Sequence, residues 1–157
     1  MKHIAPIVTA LGFVGILAAG CNQSEASPAR GGSAAQAVKG GAKAETDDFS
    51  VELRPVGTYK KDEEGTMEVV IVAKGDKHIN DQYPFKFAPK PSDDIESKGP
   101  TGRDGGTFEE KKAILRAKFT PKKTGDVVFA GKVSLSVCSD KNCLMEKRDL
   151  DITVTVQ

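Results

Sequence analysis

The chain contains no tryptophan, two tyrosines, two histidines and three cysteines, and neither sign of charge is in excess. Each shortage narrows the chemistry. Without Trp, a hydrophobic core has to come from Val, Ile, Leu and the seven Phe. Of the two histidines, His3 lies at the extreme N-terminus, which leaves His78 to serve any folded region. A Ser-His-Asp arrangement would have to rest on it, and no Gly-x-Ser-x-Gly elbow accompanies it. The stretch Gly102 to Gly106 is not followed by Lys-Ser/Thr, so it is no phosphate loop. With 23 basic and 22 acidic residues, the chain offers no long-range attraction to nucleic acid or anionic lipid. The basic pairs Lys60-Lys61, Lys111-Lys112 and Lys122-Lys123 lie among acids and turn residues and read as solvated surface. Long apolar runs are missing too: a spanning helix needs about 20 apolar residues, and the run from Ile4 to Ala19 is shorter and carries Pro6.

What that run does have is the layout of a secretory signal. A short basic start, Met1-Lys2-His3, precedes the apolar stretch, which ends in Leu17-Ala18-Ala19-Gly20 and then Cys21. Small residues before the cut mark such signals. A cysteine immediately after it resembles the bacterial lipoprotein signal, in which that cysteine is acylated and becomes the mature N-terminus. Ala18 stands where the usual box prefers Leu, with Leu17 one step early. The expectation is a signal peptide over 1–20, lipidation of Cys21, and attachment to the bilayer, each buried CH₂ adding about 0.8 kcal/mol. The protein then faces the periplasm from the bacterial cell envelope. The sequence does not choose between inner and outer membrane.

Residues 21–46 read as a tether rich in Ala, Gly, Ser and Gln. Such composition buries too little surface to offset ordering entropy. A flexible chain of this length spans roughly 25–30 Å. The segment 47–157 is long enough for one domain with a real core, and it contains no internal repeat.

Within that segment the dominant pattern is alternation, the mark of strands. Phe49, Val51 and Leu53 alternate with polar residues, as do Val133, Leu135 and Val137, and Leu150, Ile152, Val154 and Val156. Met67 to Lys74 is apolar on both faces, which suits a central strand. Thr107-Phe108-Glu109-Glu110 has the form of a helix capping box, but Ala113, Leu115, Ala117 and Phe119 alternate, so a strand is expected over about 112–120. Gly57, Gly65, Gly75, Pro121–Gly125 and Gly131 read as turn signals. Short strands punctuated by turns predict an all-β, antiparallel β-sandwich. Pro89 to Gly106 reads as a long irregular loop.

Once Cys21 is assigned to lipid, Cys138 and Cys143 remain, and two cysteines in an oxidising compartment are expected to pair. The four residues between them suit a hairpin loop, which sets the two cysteines opposite each other at disulfide distance. By parity, Cys138 shares a face with Ser134 and Ser136, and counting back from Leu150 and Ile152 puts Cys143 on the polar side as well. The pair should lie on the outer side of its hairpin. Glu146-Lys147-Arg148-Asp149 interrupts the apolar pattern, and a bulge there would upset the count. A loop this short limits stapling to on the order of 2–3 kcal/mol or less, whereas an accessible sulfur permits thiol–disulfide exchange.

The segment Gly131-Lys-Val-Ser-Leu-Ser-Val-Cys138-Ser-Asp-Lys-Asn-Cys143-Leu144 resembles the active hairpin of the N-terminal periplasmic domain of the thiol:disulfide interchange protein DsbD. Gly75-Asp-Lys-His78-Ile79-Asn80 is similar to that family's Gly-x-His-Ile-Asn turn. The resemblance implies an immunoglobulin-like sandwich over 47–157, a redox pair in Cys138 and Cys143, a thioredoxin-like periplasmic partner, and a cap loop over the pair. Tyr83, Phe85 and Phe87 are the cap candidates, with core packing as the competing role for those rings. The chain departs from the family where Met145-Glu146 follow Leu144 in place of Pro-Pro. It also contains neither the membrane electron-transfer region nor the thioredoxin-like domain, so electrons would come from another protein.

Two functions follow. One is a membrane-anchored lipoprotein that exchanges thiol and disulfide with a partner. The other is a non-catalytic binding or scaffolding lipoprotein whose disulfide only fixes a hairpin. No cofactor or metal is expected: His78, Cys138, Cys143 and Met145 offer soft donors, but their spacing matches no familiar zinc pattern. His78 is expected in a turn.

Overall fold

A computed structural model describes residues 41–80 and 82–157. The signal peptide expected over 1–20, the expected lipidation at Cys21 and most of the stretch read as tether lie outside the described residues. Among the described residues, ten strands form two antiparallel sheets packed as a sandwich. The first sheet has the order β1 (Lys43–Glu45), β2 (Phe49–Val56), β3 (Gly65–Ala73), β8 (Lys112–Pro121), with β6 (Ile95–Ser97) and β7 (Gly106–Phe108) both on the far edge of β8. The second has β10 (Cys143–Val156) on one side of β9 (Gly125–Cys138), and β4 (His78–Ile79) and β5 (Lys86–Pro89) along the other. The all-β sandwich predicted from alternation is thus the observed architecture.

The core lies where the alternation predicts. Val51, Leu53, Val69, Ile71, Leu115 and Phe119 of the first sheet face Phe129, Val133, Leu135, Val137 and Leu150 of the second, all essentially without exposure. Strand β3 is central, between β2 and β8, and its second face buries Val70 as well, as its two-sided apolar sequence requires. Aromatic rings form a chain through the middle: Tyr59 on Phe119 at 5.0 Å, Phe119 on Phe129 at 4.8 Å, and Phe87 on Phe129 at 5.7 Å between centroids.

Three local features differ from the sequence reading. The sheet begins at Lys43, inside the stretch read as tether, because an edge strand needs only backbone partners: β1 pairs with β2, and Ala44 packs on the core. The capping box, as the alternation after it required, opens no helix: Thr107 lies in β7 and the strand expected over about 112–120 is β8. The segment from Pro89 to Gly106 is not wholly irregular, since it holds β6 and a short 3-10 turn over Arg103–Gly105. Finally, Gly131 is no turn. It lies within the continuous strand β9, on the core-facing parity, where the Phe87 ring crosses it. A Cβ there would meet Phe87 Cζ at 2.2 Å and the Ala88 carbonyl oxygen at 2.9 Å. Glycine is required for that close approach.

Surface carboxylates tie neighbouring segments together. Glu64 accepts from Lys118 at 2.9 Å and from Lys98, and these lysines pull its carboxyl from the usual 4.5 down to about 2. Lys43 and Lys74 hold Glu45 down to about 2 in the same way.

Two predictions follow from this packing. Gly131→Ala should push Phe87 off its seat and lower stability by about 1–3 kcal/mol, read as a drop in the denaturant midpoint at unchanged slope. The Glu64 carboxyl has a folded value below its unfolded one, so its contribution is present above about pH 4.5 and lost as pH falls toward 2. Glu64→Gln should therefore lower Tm modestly at neutral pH and low salt, with the difference from wild type vanishing near pH 2; pH-resolved thermal melts check it. The pair is solvent-exposed, so salt should shrink the effect.

Candidate functional site

The cysteine pair lies at the end of the longest ladder in the described structure. Strands β9 and β10 pair without interruption from Gly125↔Val156 to Cys138↔Cys143. The charged run Glu146 to Asp149 introduces no bulge. Instead Glu146 and Arg148 keep the core-facing parity, opposite Leu135 and Val133. They are accommodated at the sandwich margin by pairing with each other at 2.5 Å, and the Arg148 guanidinium lies 5.7 Å from the Phe49 ring centre. The parity count therefore carries through to the cysteines.

Cys138 and Cys143 are joined by a disulfide with Cα atoms 4.0 Å apart. That separation matches a narrow, non-hydrogen-bonded pair of an antiparallel ladder, where side chains approach most closely. The next pair outward closes the loop, with the Ser139 N–H donating to the Asn142 carbonyl at 2.8 Å. The Ser139 hydroxyl also donates to Asn142 Oδ1 at 3.1 Å. The loop is thus folded by its own hydrogen bonds as well as by the sulfur bridge.

The two sulfur-bearing residues are not equivalent. Both occupy the outer face of the second sheet, with Ser134 and Ser136, and neither belongs to the contiguous hydrophobic cluster beneath. Cys143 is exposed, whereas Cys138 retains 6% exposure and its strand neighbour Ser136 none. Cys138 is flanked on both sides in the sheet, by Cys143 of β10 and by His78 of β4. Ser136 is satisfied by Asn80, whose Nδ2 donates to its Oγ at 3.3 Å while the Asn80 N–H donates to its carbonyl at 3.1 Å. Met145, opposite Ser136 on the same face, is 66% exposed.

His78 lies in a strand, not in the turn expected for it. The tight turn comes earlier: Gly75 has φ 57°, and the Lys77 N–H donates to the Lys74 carbonyl at 2.9 Å. After it the chain straightens into β4, and His78 falls directly opposite Cys138. Lys77, which sequence reasoning missed, reaches the cysteine loop. Its ammonium lies 3.4 Å from Asn142 Oδ1 and 3.7 Å from Asp48, with only 14% of the side chain exposed. Lys111 fixes the turn from below, donating to the carbonyls of Gly75 at 3.1 Å and Lys77 at 2.5 Å. A single lysine some sixty residues upstream of a loop carries no local sequence signal.

The three aromatic cap candidates separate. Phe87 lies in β5 and is buried on Phe129; Phe85 is buried with its ring edge-on to Phe108 at 5.2 Å. Those two rings pack in the core, the competing role already assigned to them. Tyr83 is half-buried, edge-on to Phe85 at 6.1 Å, and packs against the core cluster.

Chemically, the arrangement presents one exposed cysteine bonded to one covered cysteine, with an imidazole-bearing residue in the same row and an ammonium held against the loop. No family model and no curated protein matches this chain.

Proposed function

We propose that this chain is a lipid-anchored extracytoplasmic module that exchanges thiol and disulfide with a partner protein through Cys138 and Cys143. The observation that carries the reading is the asymmetry of the pair: Cys143 is exposed at the hairpin tip, and Cys138 is covered beside it on the outer face. Exchange requires a thiolate to reach one sulfur in line while the other leaves. Cys143 is the sulfur to be attacked, and Cys138 the leaving group. A partner dithiol loses two electrons and two protons, and the module gains both as two cysteine thiols. The reverse passes them on. A thioredoxin-like periplasmic protein is the partner chemistry implied by the resemblance of this hairpin to the DsbD N-terminal domain.

The fold also suits repeated opening of the bond. A loop this short gives the disulfide only about 2 kcal/mol of chain-entropy stabilisation, and the hairpin is independently held by the β9–β10 ladder and by the Ser139–Asn142 hydrogen bonds. Reduction therefore leaves the scaffold standing. The scaffolding alternative draws on the covered state of Cys138 and on the Lys77 contact that pins the loop, both of which also suit a fixed staple.

The reduction potential decides between them. An exchange-active pair should titrate between about −120 and −270 mV, while a structural one falls below about −300 mV. In cells, Cys138→Ser should trap a mixed disulfide through Cys143, and Cys143→Ser should trap far less; equal absence of adducts favours the staple. The anchor has its own test. Cys21→Ser should abolish labelling by fatty acid and move the protein from the membrane to the soluble fraction, and retention in the membrane would refute lipid attachment at Cys21.

A further inference from the structure

We infer that His78 is the proton and charge partner of the Cys138 sulfur during disulfide exchange; the inference rests on the exchange reading above and adds a residue to it. The register places His78, Cys138 and Cys143 in one row across three adjacent strands, on one face of the sheet. Directly opposed side chains of an antiparallel pair have Cβ atoms about 4.5–5.5 Å apart. Strand β4 is only two residues long, yet its position is fixed from both sides. The Ile79 N–H donates to the Glu110 carbonyl at 2.7 Å, and the Asn80 N–H donates to the Ser136 carbonyl at 3.1 Å. Ile79 is buried in the core, so its neighbour His78 is held on the outer face beside the disulfide.

The chemistry calls for such a group. When a partner thiolate attacks the Cys143 sulfur, the S–S bond breaks and its electron pair departs on Cys138. Burial disfavours a thiolate there, and a poor leaving group slows exchange. An imidazolium in the same row supplies the missing proton. It hands that proton to the departing Cys138 sulfur and becomes neutral imidazole, while the partner sulfur stays bonded to Cys143. In the reverse direction neutral imidazole accepts the proton from the Cys138 thiol as that sulfur attacks. Solvent restores the imidazole in either case.

The other charged groups around this row are otherwise engaged or displaced. From the preceding turn, the Lys77 ammonium is shared among Asp48, Asp76 and Asn142. From the segment leading into β8, Lys111 is bound to the backbone of the turn, while Glu109 and Glu110 are exposed to solvent, Glu110 meeting Ile79 through its backbone carbonyl alone. From β10, Met145 does not ionise, and Lys147 lies a further row away, opposite Ser134. From the hairpin loop, Asp140 and Lys141 are exposed to solvent. His78 is the side chain in the row itself whose type ordinarily changes charge between pH 5 and 8.

The test follows reduction of the full-length lipidated chain in detergent by dithiothreitol from pH 5 to 9, with each rate divided by the concentration of the dithiothreitol thiolate. The wild-type normalised rate should fall as pH rises through the imidazole range. His78→Gln should lose that step and be about a hundredfold slower at pH 5.5, the lower end of the usual 10²–10⁴ scale of general acid catalysis. His78→Lys, a cation that does not titrate there, should recover much of the rate without the step. A second measurement is independent of exchange kinetics. In reduced Cys143→Ala chain, alkylation of Cys138 against pH should show a higher thiol pKa when His78→Gln is added. Coincident wild-type and His78→Gln profiles, or an unchanged Cys138 titration, overturn the role of His78 and leave exchange intact. A pair too reducing to exchange, by the potential measured separately, removes the exchange reading and this inference with it.

Discussion

Everything at the cysteine end depends on the register of one hairpin. The β9–β10 ladder runs unbroken from Gly125↔Val156 to Cys138↔Cys143, and side chains along it alternate with a period of two. A slip of β10 by one residue would send Cys143 to the opposite face and separate the pair. What prevents the slip is the far end of the ladder, where Phe129, Val127, Val154 and Val156 are buried. Core packing therefore aligns the cysteines from a distance. The disulfide is a product of the hairpin's register and not its cause, so under the proposed exchange a bond worth about 2 kcal/mol would open without loss of the alignment that lets it close again. The same ladder explains how two charges survive on the inward parity of β10. Glu146 and Arg148 lie where the sandwich is open at its margin, and they neutralise each other there, so the strand continues straight to Cys143.

The elements whose partners are implied by their own pattern were legible in the sequence. Alternation marks β2, β3, β8, the second half of β9 and the second half of β10, and parity alone locates Cys138 and Cys143 on the outer face. What was not legible depends on partners far away in the chain. Gly131 looks like a turn residue until Phe87, from another strand, is seen to occupy the space of its missing Cβ. His78 follows a glycine turn closely enough to be read as part of it, and only pairing with Cys138 reveals a strand of two residues. Phe85 and Phe87 form an aromatic cluster that reads as either shield or core; the choice rests on Phe108 and Phe129, which no local window contains. Lys77 gives no signal at all, because its role is defined by Asn142 and Asp48.

The two sulfurs differ because the sheet treats them differently. Cys143 begins an edge strand, so one flank is open to solvent. Cys138 ends an interior strand, with β10 on one side and β4 on the other. A symmetric pair at a free hairpin tip would expose both sulfurs and leave the direction of attack undetermined. Here β4 closes one flank, and under the proposed exchange that closure would assign the roles of attacked and leaving sulfur. It also leaves Cys138 largely covered, so the proposed exchange would call for a neighbouring group able to carry a proton. The covered sulfur and the row that includes His78 are two consequences of the same short strand.

The chain enters the sandwich away from this end. The Gly41 carbonyl accepts from the Asp151 N–H at 3.2 Å, and Asp151 lies along β10 from Cys143 by about 27 Å at the usual strand rise. The outer edge of β10 is engaged at Asp151 and again where the Gln157 N–H donates to the Tyr59 carbonyl, both at the end remote from the cysteines. Those contacts use the N-terminal entry and the loop after β2 to occupy backbone groups that an edge strand would otherwise leave open. The stretch from Cys143 to Asp149 contains the exposed Met145 and the exposed member of the sulfur pair on adjacent rows of one face. A partner of the proposed kind, approaching Cys143, would meet an apolar thioether beside its target, at the end of the strand away from Asp151.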